Sequence, residues 1–431
     1  MKSNVSCTIL SQVCLLGMLI LPAAAAERNW PTWRGPQQDG YAPDSNPPSE
    51  WSETKNVKWK IPLEGQGDST PIVWGNRIFL LSVVQAPRPA ATSAGGGDQY
   101  QWIVSCLDRT SGKSIWRKIA HEGPPLDGPN EGQHMTFASY SPATDGQRIY
   151  VSFGSAGLYC YDFDGNLQWT GSLQPPNSKR HGGEGGSLSL DAGKLVIVWD
   201  HPPDGYITAL DPATGKPIWK TDRNQKDSWF TPLIVGQGPN AQVITTGESR
   251  IRSYDLATGR QIWESEGLGG YAIPTAVGAD GMVFAMTGFG GENKLVAIRL
   301  GRSGDLTGTD AIVWHYDKRT SYIASPALIN NLLFFIDNKN NRISCVDVKT
   351  GKALIDAATL DDLGEVYASP VCAGDRVYVV GRNGYTAVIQ AGAPLKVRAV
   401  NQLDDQFDAS PAVVGNELLL RGRKYLYCVS E

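Results

Sequence analysis

The chain has 431 residues, more than one conventional hydrophobic core accommodates, so it must divide into domains or use many small cores. It contains 48 Gly, 27 Pro and 13 Trp but only 19% charged residues, which favours short strands and tight turns over long helices. The formal net charge of −4 argues against nucleic acid as a partner.

The first 26 residues are predicted to be a secretory signal peptide. Lys2 precedes an apolar stretch from Ile9 to Leu21, and small residues up to Ala26 provide a cleavage site. The apolar stretch is shorter than the roughly 20 residues that a spanning helix needs, and no later stretch is apolar enough to span a bilayer. We therefore expect a periplasmic or secreted protein with no transmembrane segment after cleavage; a retained membrane anchor is the alternative.

Residues 27–55 are predicted to form an irregular strap, and residues 56–431 a series of repeats. Each repeat opens on a short strand after Ser/Thr-Pro or a variant of it. The starts are roughly 40–70 residues apart, the spacing of four-stranded propeller blades with variable loops. The eight starts are Thr70-Pro71, Ser141-Pro142, Ser187, Thr231-Pro232, Ile273-Pro274, Ser325-Pro326, Ser369-Pro370 and Ser410-Pro411.

A second motif recurs later in the repeats as a strand, a tight turn and a strand that opens on Trp. In this motif the Asp accepts hydrogen bonds from backbone amides ahead of it, and the Gly supplies the positive φ that the turn needs. The copies are Cys106–Trp116 (CLDRTSGKSIW), Cys160–Trp169 (CYDFDGNLQW), Ala209–Trp219 (ALDPATGKPIW), Ser253–Trp263 (SYDLATGRQIW) and the shorter Cys345–Lys352 (CVDVKTGK).

The last repeat predicts how the fold closes. Ser410 leaves room before Glu431 for only three strands, whereas Asn56–Pro62 (NVKWKIP) matches a Trp-bearing fourth strand that no preceding repeat contains. The sequence therefore predicts an all-β, eight-bladed β-propeller of four-stranded antiparallel blades. Its ring is closed by an N-terminal strand that completes the last blade, so that no open sheet edge remains.

Five cysteines remain after the predicted cleavage, an odd number that argues against a full disulfide framework. Four of them take the repeat position that Ala or Ser fills in other repeats, and the fifth matches a Val. We therefore interpret them as small buried packing groups rather than redox or metal-binding groups. They are Cys106, Cys160, Cys345, Cys372 and Cys428.

The Ser/Thr-Pro starts and the Asp-x-x-Thr-Gly-Lys-x-x-Trp turns resemble the quinoprotein-type (PQQ-like) propeller repeat over roughly residues 56–431. Two groups share it: pyrroloquinoline-quinone dehydrogenases, and non-catalytic propellers such as the outer-membrane assembly factor BamB. The lead-in, Trp30–Pro36 (WPTWRGP) and Trp51–Trp59 (WSETKNVKW), resembles exported propellers of planctomycete-type bacteria. The resemblance is specific for fold and weak for function.

Antiparallel strand order predicts which loops share a face of the ring. With the strands of a blade named a to d from the channel outward, the a–b and c–d turns lie on one side, which we call the regular face. The d–a and b–c loops lie on the other, the irregular face, around the channel mouth, where a ligand or partner is expected. The residues predicted for this binding face are Asp68, His181, Glu184, Asp227, Trp229, Tyr271, Tyr322, Tyr367, Arg382, Asp408 and Arg421. Simple packing of the aromatic residues between blades is the alternative.

The sequence favours a monomeric, non-catalytic extracytoplasmic scaffold for a protein or glycan partner in the cell envelope, with envelope or outer-membrane protein assembly implied by the resemblance. One alternative is a periplasmic quinoprotein oxidoreductase, for which the resemblance would imply a Cys-Cys pair, a stacked Trp and Ca²⁺. No adjacent cysteines occur, so no cofactor, PQQ with Ca²⁺ included, and no metal or catalytic residue is predicted. A second alternative is a polysaccharide-active enzyme that uses carboxylates such as Asp68 and Asp408 at the channel mouth.

Overall fold

Short strands joined by tight turns build the structure, a computed structural model that describes residues 29–87, 98–124, 136–173 and 184–431. The predicted signal peptide and His181 lie outside these residues. The described strands form eight sheets, each with an antiparallel core of four strands, and short parallel strands extend two of them. The predicted all-β, eight-bladed propeller is confirmed.

The strands follow one another in chain order with three short 3-10 turns between them. Up to the middle of the chain they are β1 (Tyr41–Ala42), β2 (Val57–Pro62), β3 (Ile72–Trp74), β4 (Arg77–Gln85), β5 (Tyr100–Asp108), β6 (Ser114–Gly123), β7 (Ala143–Thr144), β8 (Arg148–Ser152), β9 (Leu158–Asp162), β10 (Leu167–Gly171), β11 (Ser189–Asp191), β12 (Lys194–Trp199), β13 (Tyr206–Leu210), β14 (Pro217–Asp222), β15 (Leu233–Val235), β16 (Gln242–Thr245), β17 (Arg250–Asp255) and β18 (Gln261–Glu266).

The remaining strands are β19 (Val277–Ala279), β20 (Met282–Thr287), β21 (Lys294–Arg299), β22 (Gly304–Asp305), β23 (Ile312–Tyr316), β24 (Ala327–Ile329), β25 (Leu332–Asp337), β26 (Arg342–Asp347), β27 (Ala353–Thr359), β28 (Val371–Ala373), β29 (Arg376–Val380), β30 (Tyr385–Gln390), β31 (Val397–Gln402), β32 (Ala412–Val414), β33 (Glu417–Arg421) and β34 (Tyr425–Val429). The 3-10 turns are Gly154–Ala156, Gly238–Asn240 and Phe289–Gly291.

Each blade begins with a short strand a on the channel, and most consecutive strands a contact one another around the ring. Strand β32 of the last blade in turn contacts β3 of the first. Blades 1 to 4 are β3–β6, β7–β10, β11–β14 and β15–β18; blade 5 is β19–β21 with β23; blades 6 and 7 are β24–β27 and β28–β31; and blade 8 is β32–β34 with β2.

A belt of hydrogen bonds links the starts of the strands a. The side-chain hydroxyl of the Ser or Thr that starts one blade accepts a hydrogen bond from the backbone N–H of the residue that starts the preceding blade. These starts are buried, so each bond satisfies a backbone amide away from water. From donor to acceptor the pairs are Thr70–Ser141, Ser141–Ser187, Ser187–Thr231, Thr231–Thr275, Thr275–Ser325, Ser325–Ser369 and Ser369–Ser410, with N–O distances of 2.8–3.0 Å. The Thr70 hydroxyl closes the belt by donating to the Ser410 carbonyl at 3.0 Å.

The belt corrects the predicted start of the fifth blade. Thr275, not Ile273, carries the hydroxyl that accepts from Thr231, and β19 follows it two residues later, as β15 follows Thr231. Ile273-Pro274 therefore resembles the motif but does not start the blade. As a result, Tyr271 is two residues further along the chain from the first strand of blade 5 than Trp229 is from the first strand of blade 4.

At five of the eight junctions between blades, a tryptophan of an outer strand fastens one blade to the next. The indole N–H donates to a backbone carbonyl in the c–d turn of the following blade, in the pairs Trp59–Arg109 (2.9 Å), Trp116–Phe163 (2.8 Å), Trp169–Pro212 (2.9 Å), Trp219–Leu256 (3.0 Å) and Trp314–Val348 (2.9 Å). The Gly of that turn lies under the ring: a Cβ on Gly259 would stand 2.4 Å from the Trp219 ring. This Gly is therefore required by the close ring as well as by its positive φ of 73°.

The predicted closure of the ring is confirmed. Strand β2 pairs antiparallel with β34, and Trp59 lies opposite Cys428 as the other outer-strand tryptophans lie opposite their repeat partners. The Glu417 carboxylate reinforces the junction by binding Lys58 at 2.7 Å and Arg109 of blade 1 at 2.6 Å. All five predicted packing cysteines are buried and unpaired, and burial raises the pKa of the Cys106 and Cys160 thiols to about 12.

The segment before β2 crosses the central channel, which the sequence did not predict. It enters at the regular face, where Asn29 and Asn46 bond to the a–b turns of blades 1 and 8. The fully buried Trp30 then pairs with Val73 of strand β3. The buried Arg34 donates to the carbonyls of Pro326 and Pro370 in blades 6 and 7, at 2.7 and 2.9 Å. The channel is therefore filled from the regular side by the chain itself.

Candidate functional site on the irregular face

The irregular face carries every predicted binding residue that the structure describes. Residues in the d–a loops are Asp68, Glu184, Asp227, Trp229, Tyr271, Tyr322, Tyr367 and Asp408. Arg382 lies in the b–c loop of blade 7, and Arg421 ends strand b of blade 8 beside the same kind of loop. The strand order thus places these residues on one side of the ring, and most of their side chains belong to one of two groups.

Four aromatic residues form the first group, which we call the aromatic arc: Trp229, Tyr271, Phe289 and Tyr322. Ring centroids along it are 5.2 Å apart for Trp229 and Tyr271, 4.3 Å for Tyr271 and Phe289, and 5.1 Å for Phe289 and Tyr322. Tyr271 remains 38% exposed, so the arc presents ring surface to solvent. Such offset and edge-to-face contacts stabilise the rings against one another and make a rigid apolar surface.

Backbone contacts beneath the arc hold its loops in place. The buried Asn338 side-chain carbonyl accepts the backbone N–H groups of Tyr322 and Ile323, both at 2.8 Å, and its amide donates to the Val366 carbonyl. Gly185 lies against Trp229 so closely that a Cβ would stand 2.7 Å from the indole. The arc is thus supported from both ends by contacts that a change of loop residue would disturb.

The second group, the charged arc, continues around the mouth through blades 7, 8 and 1. It consists of Asp68, Glu365, Tyr367, Arg382, Asp408, Arg421 and Arg423. Arg382 lies 4.1 Å from the Tyr367 ring centre and binds Asp408 at 2.5 Å and Glu365 at 2.9 Å. Arg423 binds the other Asp408 oxygen at 2.8 Å. Asp408 is 5% exposed, so this network is partly shielded from water and from salt.

At the end of the charged arc the ring closure brings Asp68 beside Asp408 and Arg421. Burial, and then the Asp408 carboxylate, raise the pKa of Asp68 to about 6, although Arg421 and Arg423 act in the opposite direction. Arg421 is buried and donates to the Ser69 carbonyl at 3.0 Å; its burial lowers its pKa to about 10. Asp68 and Asp408 therefore do approach each other, but both Asp408 oxygens are bound by arginines.

Glu184 and Asp227 lie in the d–a loops that lead into blades 3 and 4. The Glu184 carboxylate accepts the Ser155 N–H at 2.7 Å, and it fills the space that a Cβ on Gly154 would need. The Asp227 carboxylate lies 3.8 Å from the buried His201 ring. These two carboxylates hold loops of blades 2 to 4.

A buried ion pair on the same face was missed. Arg223 binds both oxygens of Asp200, at 2.7 and 3.0 Å, and both side chains are fully buried. Ser228 adds a hydrogen bond to Asp200 at 2.6 Å, and Arg223 also reaches Thr245 at 2.6 Å. The sequence offered no signal for Arg223, because it lies in a d–a loop, and these loops differ in sequence from one repeat to the next.

With the geometry in place, the chain can be compared with known proteins. A sequence profile of the family described as outer membrane protein assembly factor BamB matches residues 100–354 and 203–431. The chain belongs to this family. BamB of Yersinia pestis is 23% identical over 356 residues, 78% of this chain and 82% of that protein. BamB of Shewanella oneidensis is 22% identical over 298 residues, 67% of this chain and 66% of that protein.

Solved structures share the fold of this BamB-family chain. BamB from Moraxella catarrhalis superposes with a TM-score of 0.58 at 14% identity, covering 86% of this chain and 98% of that one. A quinohemoprotein alcohol dehydrogenase from Comamonas testosteroni gives 0.64 at 12% identity, covering 94% of this chain and 81% of that one. At such identities both likenesses show the propeller fold alone.

The described residues contain no helix with the length and apolar character needed to cross a bilayer. They also contain no group of three or more His, Cys, Asp or Glu side chains placed to hold a metal ion.

Proposed function

We propose that this protein is a non-catalytic extracytoplasmic scaffold that binds a protein partner through its irregular face and serves the assembly of envelope proteins, outer-membrane proteins among them. Membership of the BamB family supports the assembly role. The observation that carries the proposal is the placing of an exposed aromatic arc next to a charged arc on one face. Tyr, Trp and Arg surrounded by polar groups are the residues that dominate the affinity of protein interfaces.

The residues present do not fit the quinone site that the quinoprotein resemblance implies. The sequence has no adjacent cysteines, and the five described ones lie buried in separate strands. Trp229, the ring that could support a planar cofactor, packs on Gly185 and edge-to-face on Tyr271. Titration with pyrroloquinoline quinone and Ca²⁺, followed by calorimetry and a dye-linked oxidation assay, is expected to give no saturable binding. Saturable binding with turnover would refute the non-catalytic assignment.

The use of the irregular face is tested by crosslinking in intact cells. A photoreactive residue at Tyr271 is expected to crosslink to envelope proteins. The matched control is Ile218 on the outer strand β14, which is 46% exposed against 38% for Tyr271. Equal crosslinking from both positions, or crosslinking from Ile218 alone, would contradict the proposal.

Complementation tests the assembly role itself. Loss of the gene is expected to lower the amount of outer-membrane proteins, which the wild-type chain and Ile218→Ser restore and Tyr271→Ser does not, at equal cellular levels of each chain. Unchanged outer-membrane protein levels after loss of the gene would remove the assembly role and leave the fold assignment intact.

A further inference from the structure

A cleft of about 1020 Å³ opens between blades 5 and 6 on the irregular face. One wall is the Phe289–Gly291 turn of blade 5, the other is the b–c loop of blade 6 around Asn340, and Lys318 to Tyr322 of the connecting loop line it between them. Its volume lies at the upper end of the roughly 300–1,000 Å³ range of small-molecule sites. The cleft is therefore large enough for an extended ligand of several rings.

The charge of the cleft is opposite in sign to that of the whole chain. Its lining includes four cations, Lys318, Arg319, Lys339 and Arg342, and two carboxylates, Asp337 and Asp356. Lys318 binds Asp356 at 2.9 Å, and Arg319 lies 3.4 Å from Asp337. Within the described part of the chain, the exposed Lys339 and the half-buried Arg342 form no ion pair with a carboxylate. An excess of positive charge in a concave site attracts anions even though the chain carries a net charge of −4.

The aromatic rings lie at one end of the cleft, and an ion pair marks the other. Tyr322 and Phe289, which belong to the aromatic arc, lie at the end near the channel mouth, with ring centroids 5.1 Å apart. Asp356 belongs to the outer strand β27 and, with its partner Lys318, marks the far end. A ligand that fills the cleft therefore needs flat apolar faces at one end and negative charge along its length.

We propose that the cleft between blades 5 and 6 binds an acidic oligosaccharide of the uronate type. The C–H face of a sugar ring packs on Phe289 and Tyr322, its carboxylates pair with Arg319 and Lys339, and its hydroxyls donate to the carboxylate of Asp337. This inference rests on the proposed use of the irregular face for recognition and adds a ligand class to it.

An acidic peptide fits the same charge less well. Peptides bind through deep apolar pockets for anchor residues or by adding a strand to an open sheet edge. Apart from Phe289 and Tyr322, the described lining consists of Gly, Ala, Thr, Asn and charged residues. The edge strand β27 contributes only Asp356 and Ala357, and the Ala357 backbone is already hydrogen-bonded to Ser344 and Arg342, so it is not free to pair with an added strand. The lining therefore favours a polar, multi-ring ligand.

Isothermal titration calorimetry of the full mature chain tests the inference, with a short oligogalacturonate as the probe. Saturable binding that weakens with added salt is expected. The same oligomer with its carboxylates reduced to alcohols should bind at least about tenfold more weakly, and a short polyglutamate should bind no better than the reduced oligomer. Absence of saturable binding, or equal binding of the reduced oligomer, would overturn the proposal; tighter binding of polyglutamate would replace it with an acidic-peptide site.

Matched variants locate the binding. Arg319→Gln and Lys339→Gln are each expected to weaken oligogalacturonate about tenfold. Arg302→Gln is the control, because Arg302 is 49% exposed against 50% for Arg319 and also pairs with one Asp, but lies in the c–d connection on the regular face. Equal losses of affinity in Arg302→Gln and Arg319→Gln would show nonspecific electrostatic attraction and would contradict binding in the cleft. If the probe does not bind but Tyr271→Ser still fails in complementation, only this inference is lost and the scaffold proposal stands.

Discussion

The two faces of the ring are built on different plans. On the regular face one contact recurs, a tryptophan indole that donates to the next blade above a glycine, with N–O distances of 2.8–3.0 Å in five pairs. Beyond the belt at the starts of strands a, the described loops of the irregular face differ from one sector to the next: one sector is aromatic, another is a network of arginines and carboxylates, and a third rests on a buried ion pair. Repetition on one side thus carries the stability that lets loops on the other side differ.

Trp219→Ala should produce the largest loss of stability, and it tests whether the repeated contact on the regular face stabilises the fold more than the irregular face does. The indole is 9% exposed and bonded to Leu256, so its removal is expected to lower the free energy of unfolding by about 3–5 kcal/mol. Tyr271→Ala on the irregular face should cost about 1 kcal/mol or less, because the ring is partly exposed. Chemical denaturation of both variants measures the difference; similar costs would show that the two faces share the stability evenly.

Arg223→Leu tests whether an irregular loop can also be essential to stability. It leaves the Asp200 carboxylate buried without its cation, and we expect a loss of about 3 kcal/mol, the lower end of the usual range, because Ser228 still donates to Asp200. The double variant Asp200→Leu with Arg223→Leu should regain part of this loss, since no buried charge remains. A single variant as stable as the wild type would mean that the pair contributes nothing to holding the face.

Asp68→Asn should give a smaller effect than Trp219→Ala or Arg223→Leu, and the one most dependent on pH. Because the pKa of Asp68 is raised to about 6 in the folded chain, the folded state binds a proton that the unfolded state releases near pH 4. This contribution to stability is complete below pH 4 and is lost as pH rises through 6. At pH 7.5 the variant should therefore be more stable than the wild type, by about 1–2 kcal/mol after allowance for solvent at this half-buried carboxyl. Thermal midpoints from pH 4 to 8 that run parallel in both chains would contradict the shift.

The sequence predicted most of the regular face and only the location of the irregular one. The Asp-x-x-Thr-Gly turns and the Trp spacing are local and repeated, so several copies confirm one interpretation, and even the closing strand at Trp59 is recognisable by its match. Strand order then placed Trp229, Tyr271 and Arg382 on the irregular face, and the structure has them there.

The features that the sequence did not predict depend on contacts that occur once and are not repeated from blade to blade. Arg34 crosses the channel to blades 6 and 7, Arg223 finds its partner in another loop, and the cleft forms between two loops of unrelated sequence. The false start at Ile273 has a similar cause, because a Pro near the expected place resembled the motif while the belt uses Thr275. Only the folded chain brings such groups together.

The pairing of β2 with β34 has a consequence for when the molecule becomes competent to bind. The first blade-forming strand to be synthesised must wait for the last one, and closing so long a loop is a slow, entropically costly step. The same junction carries Asp68, Ser69 and Arg421, so the charged arc is complete only after closure. We expect partly folded chains to display the aromatic arc without its charged neighbour, so that a partner needing both distinguishes finished molecules from unfinished ones.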